Sequence, residues 1–68
     1  MRKRLKEARE SKSMTQQQVA DLLDLTVRYY QKIESGDVLG SVPVWDSLED
    51  IFGINQRELR RQVQEGNQ

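Results

Sequence analysis

The stretch TQQQVADLLDLTVRYYQKIESG, residues 15–36, decides how the rest of the chain is read. Thr15 is followed three residues later by Gln18. That spacing predicts a capping box, in which the Thr15 hydroxyl accepts from the Gln18 backbone N–H and the Gln18 side chain returns to the Thr15 N–H. Met14 before the cap and Val19 after it form a hydrophobic staple. The helix started here is expected to reach Leu23. A tight turn, DLT, follows, and Thr26 caps the next helix with Leu25 and Tyr30 as its staple. That helix closes at Ser35, and Gly36 suits the left-handed position after a helix end.

The two adjacent tyrosines cannot share a face of this second helix. At about 100° per residue, Tyr30 and Ile33 define an inward side, and Arg28, Gln31 and Lys32 fall opposite. Val27 lies at the border. Tyr29 is at the boundary, with its hydroxyl free to reach out. The outward face is thus a row of long hydrogen-bond donors beside one small branched side chain, a surface suited to reading something polar.

The flanking segments also read as helices. Leu5 and Ala8 recur at helical spacing, predicting a first helix over about residues 2–12. Ser41 is the expected cap of a fourth helix, with Pro43 tolerated in its first turn and Gly53 ending it. Asn55 with Glu58 predicts a capping pair for a fifth helix, with Ile54 and Leu59 as its staple. No strand signal appears, so the fold class is all-α. The domain is expected over residues 1–63, with 64–68 a flexible C-terminal tail.

Composition narrows the function. A chain of 68 residues is at most one domain, and it buries only about 60% of its unfolded surface. There is no cysteine and no histidine, which removes disulfides, thiolate metal sites and the commonest general base. No apolar run approaches the roughly 20 residues of a membrane span. The chain reads as a cytoplasmic protein and not as an enzyme, with no cofactor, metal, small-molecule ligand or membrane expected. Net charge is zero, yet residues 1–36 carry eight cations against five acids and residues 37–68 three against six. That asymmetry hints at one side facing a polyanion.

Two helices joined by a short turn, the second displaying donors, form a helix-turn-helix. Thr15-Gln16, Val19-Ala20, Leu23, Thr26, Tyr30 and Ile33-Glu34-x-Gly36 together resemble the lambda-repressor/Cro-type, Xre-like helix-turn-helix regulators. The likeness runs from RLKEAR through SLEDIFGINQREL. It implies a compact five-helix lambda-repressor-like DNA-binding domain with the motif at helices 2 and 3. It also implies a sequence-specific transcriptional regulator, a repressor of bacterial or phage origin, acting on a double-stranded operator as a homodimer. In such folds the second motif helix enters the major groove. Carried over by position, Val27, Arg28 and Lys32 match base contacts, with Gln31 beside them, and Arg28 suits guanine O6 and N7. Gln16 matches a phosphate contact, and a phosphate at the start of helix 2 fits the helix dipole; Gln17 and the Thr26 and Tyr29 hydroxyls are further phosphate candidates. Arg9 and Glu34 match a structural ion pair between helices 1 and 3.

The sequence departs from the pattern at three places. Asp24 stands at the usual turn glycine, a substitution that aspartate tolerates. The loop after helix 3, GDVLGSV, holds one acid and no cation, so backbone anchoring there should be weak. Glu49 replaces a frequent alanine. The basic start RKRLK is either a solvated helix start or an arm toward DNA. Trp45 reads as core or as part of a dimer surface, and Asp46, Glu49 and Asp50 as a solvated acidic face. Candidate dimer surfaces are QRELRRQV and the loop with Val38 and Leu39. The alternative function keeps the fold without DNA: a protein-interaction module, antitoxin-like or repressor-modulating.

Overall fold

Residues 1–62, which the computed structural model describes, form five helices and no strand: α1 Lys3–Ser11, α2 Gln16–Leu22, α3 Val27–Ser35, α4 Val42–Phe52 and α5 Gln56–Arg60. The predicted tail, 64–68, and Val63 lie outside the described residues. The all-α, five-helix architecture is the expected one, and the five helix starts and the ends of α1 to α4 fall within one residue of their predicted places, whereas α5 stops at Arg60, inside the QRELRRQV segment.

Local chemistry sets the α2–turn–α3 unit. Thr15 Oγ1 accepts from the Gln18 N–H at 3.1 Å and Gln18 Oε1 from the Thr15 N–H at 2.8 Å, closing the capping box. At the far end of α2, Asp24 adopts φ 59° and the Leu25 N–H reaches back to Ala20 O at 2.9 Å. The Thr26 hydroxyl then accepts from the Tyr29 N–H at 3.1 Å and starts α3. Gly36, at φ 92°, ends α3: its N–H and that of Asp37 turn back to Ile33 O and Lys32 O. A side chain at that φ is strained, which is why glycine stands there.

Two predicted caps form differently. Ser41 occupies the cap position of α4 but its side chain makes no capping bond. Pro43, two residues on, lacks the N–H that such a cap serves. Asn55 accepts from the Arg57 N–H at 2.8 Å, whereas Glu58 does not complete a box; its carboxylate faces Arg4 of α1 at 3.6 Å. Ser13, at φ 56°, is a second left-handed turn residue that no sequence signal marked.

The core gathers one face from every helix: Leu5 and Ala8, Val19 and Ala20, Tyr30 and Ile33, Trp45, Leu48 and Phe52, and Leu59. α1 lies against α3 and α5, α2 against α3, and α4 against α5. The radius of gyration is 11.2 Å, close to the roughly 11 Å of a compact chain of this size. Trp45 is core: its indole N–H donates to Leu39 O at 2.8 Å. Gly40 passes over that indole at φ 82°, where an added Cβ would sit 3.1 Å from Trp45 Nε1.

Arg2 departs from both readings of the basic start, while Lys3 beside it is exposed. It is neither solvated nor an outward arm, being 2% exposed. Its guanidinium donates to Ile33 O at 2.6 Å, Val38 O at 2.8 Å and Arg60 O at 3.0 Å, and lies 5.1 Å from the centre of the Trp45 ring. Ile33 and Arg60 are at the C-terminal ends of α3 and α5, where carbonyls carry partial negative charge. Two helix ends and an aromatic face thus accommodate a buried cation without a carboxylate among the described residues.

Candidate nucleic-acid interface

α3 is anchored from below and open above. Tyr30, Ile33 and Glu34 are buried, whereas Arg28, Gln31 and Lys32 are exposed and Val27 is half-buried at the border. Tyr29 is 38% exposed, at the edge between packing and solvent. The Arg28 and Lys32 side chains have no hydrogen bond or ion pair among the described residues. Two cations and an amide are therefore presented on one face of a helix whose other face is fixed in the core.

Beneath this face, Arg9 of α1 meets Glu34 of α3. Arg9 Nε donates to Glu34 Oε2 at 2.7 Å and Nη2 to Oε1 at 3.2 Å, while Nη1 reaches Met14 O at 2.9 Å. Both residues are at most 9% exposed. The bond to Glu34 holds the Arg9 guanidinium above its ordinary value, against the effect of burial. Tyr30 Oη is buried without a hydrogen bond among the described residues, and burial, with Glu34 nearby, pushes the phenol far above its ordinary value. This corner sets the angle of α3 against α1.

The phosphate candidates fall into two groups. Thr26 is exposed and keeps its hydroxyl proton, since Oγ1 only accepts in the cap. Gln17 is exposed, with its amide turned to Asp21 of the next turn at 2.8 Å. Gln16, the first residue of α2, is half-buried and bonded twice: Nε2 donates to Glu34 Oε1 at 3.1 Å, and Oε1 accepts from Gln31 Nε2 at 3.2 Å. Gln16 and Gln31 line one open groove of about 330 Å³ together with Lys6 and Ser35. Sequence reasoning placed Gln16 and Gln31 on separate duties and missed the bond that joins them. Neither helical periodicity nor capping chemistry marks a contact between the start of α2 and the middle of α3.

The acidic side is separate. Asp46 Oδ1 and Glu49 Oε1 both accept from Gln56 Nε2, at 2.8 and 3.1 Å. No cluster of acids able to hold a metal ion is found among the described residues. No described helix is long and apolar enough to cross a membrane.

No curated protein and no solved structure matches the chain. A family model described as Helix-turn-helix matches residues 5–59, spanning α1 to the Leu59 core contact in α5. That span covers most of the chain and contains the whole α2–turn–α3 unit. The chain therefore belongs to the Cro/C1-type helix-turn-helix family of DNA-binding regulators, with the Xre-like motif at α2 and α3.

Proposed function

We propose that the chain is a sequence-specific repressor of bacterial or phage origin, acting in the cytoplasm on a double-stranded operator. The observation that carries this reading is the outward face of α3: Arg28 and Lys32 unpaired among the described residues, Gln31 exposed, all above a locked core. α3 enters the major groove. Arg28 donates to guanine O6 and N7, Lys32 adds a second cation, Gln31 reads a neighbouring edge, and Val27 packs on a thymine methyl. Gln16, Gln17, Thr26 and Tyr29 contact phosphates and set the register. The binding unit is residues 1–63.

One motif reads a short half-site, so the chain acts as a homodimer on two half-sites about one helical turn apart. Leu39 and Val42, each 69% exposed on a segment without cations, are the surface assigned to the second copy. Repression by occupancy of the operator is the simplest consequence of such binding.

Selection of random duplex DNA by the purified protein at two salt concentrations tests the reading. An enriched palindrome with guanine at a fixed half-site position is the expected result. Arg28→Ala then relaxes preference at that base pair and costs about 1–3 kcal/mol of binding. Binding that is weak, erased by salt and without a motif would transfer the role to a protein partner.

A further inference from the structure

The Glu34–Gln16–Gln31 chain of hydrogen bonds decides which end of the Gln31 amide faces outward. This deepens the DNA-binding reading above and rests on it. Glu34 is 3% exposed and, as the partner of Arg9, is a carboxylate that only accepts hydrogen bonds. Its Oε1 takes one from Arg9 and one from Gln16 Nε2. The Gln16 amide cannot be reversed without setting its oxygen against that carboxylate. Its own Oε1 therefore points toward α3, where it meets Gln31 Nε2. The constraint then passes on one residue. With its nitrogen held by Gln16, Gln31 keeps Oε1 free of any hydrogen bond among the described residues. Amide orientation is assigned from the surrounding network, and here a buried carboxylate anchors that network.

We propose that Gln31 is a specificity residue whose polarity is set from the core: Glu34, acting through Gln16, makes it present an acceptor to the major groove. An outward acceptor selects a base with an exocyclic amino group, adenine at N6 or cytosine at N4. Guanine and thymine would set O6 or O4 against it, oxygen to oxygen. Adenine is favoured over cytosine. The second N–H of Gln31 Nε2 is not spent on Gln16, and adenine offers N7 beside N6 to receive it. Gln16 is then a positioning residue in addition to a phosphate contact. The base it influences lies under α3, not under α2.

The test is the same random-duplex selection, run on the full chain and three variants. Wild type is expected to enrich adenine or cytosine about fivefold or more over guanine and thymine at one half-site position. The ratio of adenine to cytosine separates two bonds from one. Gln31→Leu flattens that position alone. Gln16→Met cuts the relay, frees the Gln31 amide to rotate and admits guanine there; overall affinity falls with the lost phosphate contact, while base preference at the other positions holds. A merely structural role for Gln16 would lower every position together. Gln31→Lys, a donor-only change at an exposed site, moves the preference to guanine and stands if Gln16→Met fails to fold. Guanine or thymine at the wild-type position that Gln31→Leu flattens overturns the inference and leaves the DNA-binding reading intact. So does a Gln16→Met or Gln31→Lys protein with unchanged preference. A wild-type protein that enriches no motif overturns both.

Discussion

Two arginines lie in the interior of this small domain, and the regions around them are built on opposite principles. Arg9, where α1 crosses the α2–α3 unit, meets a carboxylate in a two-point contact with Glu34. Arg2, where the N-terminus meets the loop after α3 and the end of α5, meets among the described residues only backbone carbonyls and the Trp45 ring. Their ionisation follows suit. The bond to Glu34 raises the Arg9 guanidinium, whereas burial lowers that of Arg2, with Arg60 adding to the effect. A charge met by an opposite charge is a mutual commitment: each partner, left alone, is an uncompensated ion in the core. A charge met by helix ends leaves behind, when removed, only neutral carbonyls in want of a donor. The two regions should therefore fail by different amounts.

The largest effect is expected at Glu34. Glu34→Ala strands Arg9 and should cost about 3–5 kcal/mol. A domain of this length has roughly 3–10 kcal/mol in total, so urea titration should find much of the variant unfolded at ambient temperature. Arg9→Met combined with Glu34→Leu should recover most of the loss, since it removes both ions at once. A Glu34→Ala midpoint near wild type would break the contrast.

Arg2→Ala comes second. It leaves Val38 O without its donor and Ile33 O with the Gly36 N–H alone, and it uncovers the indole face, for about 1–3 kcal/mol on thermal melting. Arg2→Lys should recover only part of this, because a point charge cannot serve three carbonyls as the guanidinium fork does. If Arg2→Ala costs as much as Glu34→Ala, the two regions are equivalent and the distinction fails.

Smaller effects separate local chemistry from either region. Thr15→Ala removes the cap of α2 and should cost about 1 kcal/mol by the same melts. Asp24→Gly should gain about 0.5 kcal/mol, because the residue is already left-handed and glycine relieves that strain. A loss at Asp24 instead would show that its side chain does more for the turn than occupy it.

The Arg9 region was legible and the Arg2 region was not, for a reason that generalises. The partners of Arg9 and of the caps are side chains in a pattern, so spacing and resemblance can name them. The partners of Arg2 are carbonyls near the ends of α3 and α5, and any residue type supplies a carbonyl. Their convergence depends on where two helices stop relative to each other. The same holds for Glu58, whose carboxylate faces Arg4 of α1 instead of closing the box on Asn55. The missed Gln16–Gln31 bond is of this kind too: each residue was singled out, but their 3.2 Å contact follows from the angle between α2 and α3.

By itself the sequence determined whatever acts over one helical turn or one helical face. That includes the Thr15 and Thr26 caps, the left-handed ends at Asp24 and Gly36, and the division of Tyr29 from Tyr30. It also includes the outward row of Arg28, Gln31 and Lys32. These depend on chain geometry and hydrogen-bond reach, which residue types specify directly. Only the tertiary structure decided the fate of Arg2, the seating of Trp45 under Gly40, and the path from Glu34 through Gln16 to Gln31. Those are contacts between segments far apart in the chain. Their energies depend on distances of a few tenths of an ångström, which no periodicity in the sequence encodes.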